Sequence, residues 1–485
     1  MRVLLLDLDT LRPDHLGCYG YARDTSPTID RVAREGVRFE RYHCADAPCL
    51  PSRAGLVSGQ FGIRTGVVGH GGTAADMRLE GRNRGFTTDF ARRDSLWMQF
   101  RRAGMWTATV SPFAERHSAW WFHAGFNETL NPGKRGMESA EDVTPLALDW
   151  IRRNAKRDGW LLHVNYWDPH TPYRAPASFG NPFSSDPLPA WWNEDILAVH
   201  RAQPGGHGAR ELGDWQEEDS RRYPRYPREI ASAGDFRAMI DGYDCGIRYM
   251  DNHIGALLDA LRAEGVLDDL AVIVTSDHGE NLGELNCYGE HGTSDSITNL
   301  IPLIVRWPGC RAGHVDRDLH YQLDLAPTLA ELLGTEPSPA WQGESFAPAL
   351  RSGSSRGRQH LVLSQCCHGA MRSVRFDRWI WIRVYHDFFH LYPDEMLFDI
   401  EADPHETRDI AAERPDVCGR AARMLEDWHR EMMLDAPGSV DPLWTVMREG
   451  GPFHSRDHLE EYCRRLEATD RGAAAAELRR RHRSG

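Results

Sequence analysis

The stretch Cys49-Leu50-Pro51-Ser52-Arg53-Ala54-Gly55-Leu56-Val57-Ser58-Gly59 sets a thiol just ahead of a helix start, with an arginine four positions on. Pro51 and Ser52 suit the opening of a helix, where free amides and the helix dipole favour an anion. A cysteine in that field is expected to have a lowered pKa and unusual reactivity. The competing reading is an inert buried thiol, since free cysteine is among the most buried residue types. Asp7 and Asp9 stand two apart on an apolar run, so their carboxylates share a face, and hard oxygen donors there suit a divalent cation. Val274-Thr275-Ser276-Asp277-His278-Gly279-Glu280 ends another apolar run in an Asp-His pair, followed by Gly289-Glu290-His291-Gly292. In Asp168-Pro169-His170-Thr171-Pro172-Tyr173, two prolines hold an extended turn that fixes His170.

The elements that must position these residues read as α/β. Residues 2–8, 106–110, 160–166, 270–275 and 303–307 are short apolar runs suited to buried strands. Amphipathic helices lie between several of them, one covering 247–261 through Met250, Ile254, Leu257, Leu258 and Leu261. Such alternation predicts a sandwich around a mostly parallel sheet, with ligands beyond the carboxyl ends of the strands. Asp7, Asp9, Asp168 and Asp277 all fall at or just after those ends, the first hint of one shared site. Residues 1–360 are expected to form the catalytic unit. Within it, 181–228, rich in Pro, Trp and Gly and ending in arginines, reads as an insertion able to serve as a lid. Residues 361–435 read as a small α+β subdomain of antiparallel strands with one helix. The charged helical tail, 436–485, has few apolar anchors and is expected to pack on a partner or fray.

The string C-x-P-S-R with A-x-L-x-S-G after it resembles the signature of the type I sulfatases, formylglycine-dependent members of the alkaline-phosphatase-like superfamily. Every fixed position is filled here. The resemblance implies that Cys49 is oxidised by a formylglycine-generating enzyme. One hydroxyl of the hydrated aldehyde then attacks sulfur, and the other later loses a proton as sulfate is expelled. Aligning Leu16-Gly17-Cys18-Tyr19-Gly20 with the family puts Asp9 and Thr10 where two aspartates are usual, so Thr10 or Asp7 must complete the ligand set. Asp277 and His278 match the second metal half-site, with calcium the expected cation and manganese the alternative. His291 falls where the family places a Lys or His against sulfate, and His170 matches the histidine at the leaving-group oxygen, a general acid. Arg53 would steady the nucleophile. The family's G-K-W-H-L-G is absent: residues 111–118 offer Arg116 and His117 in place of its lysine. The segments 324–329 and 397–406 extend the resemblance to about residue 410.

Composition narrows the partners. A net charge of −14 argues against nucleic acid, and no apolar run approaches the roughly 18 residues of a membrane span. The ten cysteines show no repeated spacing, and no basic and apolar leader precedes Asp7, so a cytoplasmic protein is expected. The leading reading is hydrolysis of a small-molecule or saccharide sulfate ester, by a chain that forms a homo-oligomer through its tail. A phosphonate monoester or phosphodiester hydrolase on the same scaffold is the alternative. A non-catalytic binder of sulfated ligands is the reading from another class.

Overall fold

The structure, a computed structural model, describes residues 1–78, 89–213, 223–434 and 440–482. Strand β1 (Arg2–Leu8) is followed in chain order by β2 (Val37–Phe39), β3 (Asp46–Ala47), β4 (Trp106–Val110), β5 (Glu128–Leu130), β6 (Trp160–Tyr166) and β7 (Leu270–Thr275). Next come β8 (Leu303–Arg306), β9 (His314–Asp316), β10 (His360–Gln365), β11 (Ala370–Phe376), β12 (Trp379–His386) and β13 (Glu395–Asp399). Eight strands form one sheet in the order β9-β2-β8-β7-β1-β6-β4-β5. Pairing is parallel from β7 through β1, β6 and β4 to β5, and between β9 and β2. Only β8 runs antiparallel to its neighbours. The expected, mostly parallel sheet is therefore present.

Six helices matter for the site: α1 (Pro27–Glu35), α2 (Cys49–Ser58), α3 (Ala140–Asn154), α4 (Ala233–Ala263), α5 (Leu325–Leu333) and α6 (Pro415–Leu434). Successive side chains of a strand point to opposite faces, so β1 feeds two cores. Leu4, Leu6 and Leu8 pack with Ile29 and Val32 of α1, Val143 and Ile151 of α3, and Ile247, Met250 and Ile254 of α4. Val3 and Leu5 pack with Leu50, Leu56 and Val57 of α2 and Leu325 and Leu329 of α5. Each such side chain taken fully out of water contributes roughly 1.5–3 kcal/mol. Burial on both faces also explains why Val3 to Leu6 of β1 and Leu270 to Val274 of β7 read as unbroken apolar runs rather than alternating ones.

In the second sheet β10 to β13 pair as antiparallel neighbours, as the sequence predicts, and α6 packs against β10 and β11. The sheet gains a fifth strand the sequence does not announce. β3 pairs parallel with β10, Asp46 opposite Ser364 and Ala47 opposite Gln365. That pairing anchors the chain immediately before Cys49, so α2 starts from a point fixed by one sheet and packs beneath the other.

Two expectations change. The tail does not fray: Tyr462, Cys463, Leu466, Ala475 and Leu478 bury against Phe389 of the same chain, and Arg471 pairs with Glu211 at 2.5 Å. The insertion is largely packed rather than free. Trp192 stacks on Phe236 of α4 at 4.1 Å and Trp191 on His405 at 4.7 Å, so these rings are structural rather than poised for a ligand. Part of the insertion's charged run, 214–222, lies outside the described residues. Among the described residues no helix is long and apolar enough to cross a membrane.

Candidate active site

Register brings the acidic residues together. Asp7 of β1 lies opposite Asn165 of β6 and Thr275 of β7, and Asp9 and Asp277 follow the same carboxyl edge. Arg53, from the first turns of α2, reaches across all three carboxylates. Its Nε donates to Asp7 Oδ2 at 2.7 Å, and its Nη1 meets Asp277 Oδ2 at 2.5 Å and Asp9 Oδ2 at 3.0 Å. All four side chains are buried. Ionised together, three carboxylates against one guanidinium would leave two negative charges out of water, the deficit a divalent cation would cancel.

The donor atoms are arranged for that cation. Ligand atoms of Asp9, Cys49, Asp277 and His278 lie within 4.8 Å of one another. Neither oxygen of Asp9 receives a hydrogen bond, leaving only its ion pair with Arg53. Burial, followed by repulsion from Asp277, pushes the Asp9 carboxyl well above the usual range. Thr10 holds φ 57°, a conformation uncommon for a β-branched residue, and its buried Oγ1 has no hydrogen-bond partner. Its N–H donates to Asp277 Oδ1 at 3.1 Å, which fixes the turn. His278 Nδ1 contacts the Gly279 carbonyl at 2.8 Å, so that nitrogen carries the proton and Nε2 presents its lone pair to the centre.

Cys49 is the first residue of α2, its Sγ 3.2 Å from His278 Nε2. Its pKa runs opposite to the expectation from the helix terminus. Burial, then the Asp9 and Asp277 carboxylates, raise the thiol well above its ordinary value, outweighing Arg53 and Arg116. As a plain thiol at neutral pH this group is a poor nucleophile.

The other predicted residues divide. His291 lies against His278, ring centroids 4.2 Å apart, and His170 lies 5.7 Å from His291. Burial works against an imidazolium at His291, but Glu290, Nε2 to Oε1 2.9 Å, and Glu280 outweigh it and raise its pKa to about 10. His170 goes the other way: burial, then Arg174 and Arg116, push it well below its ordinary value, with Nδ1 held 2.6 Å from the Thr171 carbonyl. His117 joins His70 beside Cys49, their ligand atoms within 4.8 Å of its sulfur. Both line a cavity of about 280 Å³ with Arg116, Trp120 and Trp121. Asp7 turns to Arg53 and to His163, 3.5 Å away, and is not among the grouped ligands. Asp168 turns away from the centre and accepts the N–H of Ala140 at 2.9 Å, capping α3.

Sequence reasoning misses His70, His368, His454, Glu280 and Glu290. The last two adjoin recognised motifs, and that adjacency was the available signal. The three histidines sit in unrelated loops with no spacing to mark them.

The chain resembles known proteins over most of its length. The family described as Sulfatase matches residues 2–335, and N-sulphoglucosamine sulphohydrolase, C-terminal, matches residues 290–427. The choline-sulfatase of Rhizobium meliloti (strain 1021) is 26% identical, covering 80% of this chain and 77% of its own length. The multifunctional alkaline phosphatase superfamily protein PehA of Trinickia caryophylli is 25% identical over 85% and 91%. Among solved structures, a phosphonate monoester hydrolase from Silicibacter pomeroyi superposes with TM-score 0.66 and 22% identity, covering 92% and 97%, a likeness of fold.

Proposed function

The chain belongs to the sulfatase family and is a sulfuric ester hydrolase, and from that premise we propose that residue 49, oxidised from cysteine to formylglycine, carries the nucleophile beside one divalent cation. Asp9, Asp277 and His278 would hold that cation, with the Thr10 hydroxyl completing the set. So equipped, the site has an oxygen nucleophile for sulfur and positive charge for the ester's non-bridging oxygens. The observation that carries the reading is the convergence of Asp9, Cys49, Asp277 and His278 within 4.8 Å around an Asp9 carboxylate that accepts no hydrogen bond. The raised thiol pKa supports it, because an unmodified cysteine here lacks the thiolate needed to attack.

The remaining residues bind, orient and move protons. Arg53, locked by Asp7, holds the aspartates in register and faces residue 49 with its charge. His291, kept as an imidazolium by Glu290 and Glu280, donates the proton to the leaving oxygen. His170, neutral and with Nδ1 committed to a carbonyl, orients the ester and accepts a hydrogen bond. The sequence gives His170 the acid's role; the electrostatics favour His291. His117 and Arg116 contact the oxyanion from the cavity side, where Trp120 suits a small-molecule or saccharide ester. Calcium is the cation the carboxylates favour, and manganese the competitor that the imidazole favours. A formylglycine-generating enzyme is the partner that maturation requires.

The test is peptide mass spectrometry at residue 49 after co-expression with such an enzyme, with metal analysis and turnover of 4-nitrophenyl sulfate on the same sample. Formylglycine, one cation per chain and turnover are expected; equal turnover by protein carrying only unmodified cysteine would end the proposal. Thr10 in place of a second carboxylate keeps phosphonate monoester or phosphodiester hydrolysis as a second reading. Faster turnover of an aryl phosphonate ester than of the aryl sulfate selects it.

A further inference from the structure

Three imidazoles, His291 among them, converge on the Glu290 carboxylate. Glu290 Oε1 lies 2.9 Å from His291 Nε2 and 3.5 Å from His368 Nε2, and Glu290 Oε2 lies 3.4 Å from His207 Nε2. The ligand atoms of Glu290, His291 and His368 fall within 4.8 Å of one another. All three histidines are buried. We propose that Glu290, His291 and His368, with His207 as the fourth donor, form a second cation site that takes zinc.

The chemistry of the donors selects the ion. Zinc accepts imidazole nitrogen and carboxylate oxygen in a tetrahedron with bonds of about 2.0–2.2 Å, which sets neighbouring donors roughly 3.3–3.5 Å apart. The separations of His291 and His368 from Glu290 Oε1, 2.9 and 3.5 Å, bracket that edge, and His207 approaches the other oxygen at 3.4 Å. Calcium and magnesium demand oxygen donors and are poorly served by three imidazoles. Two neighbours lie behind the rings. Glu280 Oε2 stands 3.5 Å from His291 Nδ1, a carboxylate behind a ligating histidine. His368 lies flat against His454, centroids 4.3 Å apart, and its own carbonyl accepts the Ser455 hydroxyl. Its Nδ1 is buried with no hydrogen-bond partner, a polar atom left for an ordered water or a tautomer change on metal binding.

The site shares His291 with the chemistry proposed above, and its consequence for turnover rests on that reading. A zinc ion there occupies His291 Nε2, so that nitrogen no longer donates a proton, and micromolar zinc inhibits while the first cation stays bound. Zinc binding itself does not depend on the reading.

The experiment soaks crystals of the full chain in zinc chloride and collects anomalous data at the zinc edge, with zinc counted per chain after desalting. A peak among Glu290, His291 and His368 is expected, besides any at Asp9 and Asp277. Asp277→Asn is expected to retain one zinc equivalent per chain, and Asp277→Asn combined with Glu290→Gln or with His368→Asn to retain none. Zinc confined to the Asp9–Asp277 centre, or none retained by Asp277→Asn, overturns the inference. Failure to turn over any sulfate ester would sink the functional reading and leave these counts untouched.

Discussion

The acidic centre and the histidine-rich wall beside it solve opposite electrostatic problems. Asp7, Asp9 and Asp277 sit on adjacent strand ends, and when all three are ionised one arginine leaves them two positive charges short. Behind His291, the imidazoles of His207 and His368 are kept neutral by burial, and only His291 gains charge, from Glu290 and Glu280. The first region stores a demand for cations, and the second stores one proton and a set of lone pairs. With the proposed cation bound, an anion entering between them would meet positive charge on one side and a donor on the other, which is what expulsion of an oxyanion from an ester needs.

The largest expected effect breaks the acidic side. Cys49→Ala, which cannot be matured, is expected to lower kcat for 4-nitrophenyl sulfate by at least about 10⁴-fold relative to matured wild type, while metal content stays at wild-type level. Next, Asp277→Asn removes one carboxylate from the ligand group and from Arg53. It is expected to abolish retention of the first cation through desalting and to lower kcat/KM by about 10²–10³-fold. Retention of a full equivalent at that centre, read by calcium or manganese analysis, would separate Asp277 from the cation.

Arg53→Met tests whether the same region is held together by its single guanidinium. Removing one partner of a fully buried ion group costs about 3–5 kcal/mol, and here Asp7 and Asp277 lose their counter-charge while Asp9, its carboxyl pushed up by burial and Asp277, loses its ion-pair partner. Urea denaturation of the metal-free protein is expected to show that loss, and added cation to recover part of it through binding to the native state. A variant as stable as wild type would mean the aspartates are neutral without metal, and the charge contrast between the regions would collapse.

The two regions also differ in how far the sequence discloses them. Asp9, Cys49, Asp277 and His278 are legible because each adjoins a strand end or a helix start, and those elements announce themselves through unbroken apolar runs and a Pro-Ser opening. Legibility fails where the burial environment decides the chemistry. The helix terminus at Cys49 predicts a lowered pKa, but the carboxylates that reverse it are brought there only by the fold. Asp168 occupies the same kind of strand-end position as Asp277 yet caps α3, because Ala140 stands within reach. The insertion that reads as a candidate lid holds Trp191 and Trp192 against His405 and α4, contacts its composition does not announce. His70, His368 and His454 meet from loops nearly 400 positions apart, and no local pattern encodes that meeting.

The smallest effect sharpens the comparison from the histidine side. Glu290→Gln keeps the shape and removes the charge nearest His291, leaving Glu280 at 3.5 Å. His291 has its folded pKa raised from 6.5 to about 10, so the stability it contributes is complete below pH 6.5 and disappears as pH rises through 10. Losing one opposite charge is expected to bring that value down by about one to two units. If the His291 imidazolium donates to the leaving oxygen, the basic limb of the kcat profile moves down by the same amount. Activity at pH 8.5 then falls by about 1.3- to 4-fold, while that at pH 6 falls little. A profile displaced uniformly at all pH values would instead assign Glu290 to positioning His291, and the proton to another donor such as His170.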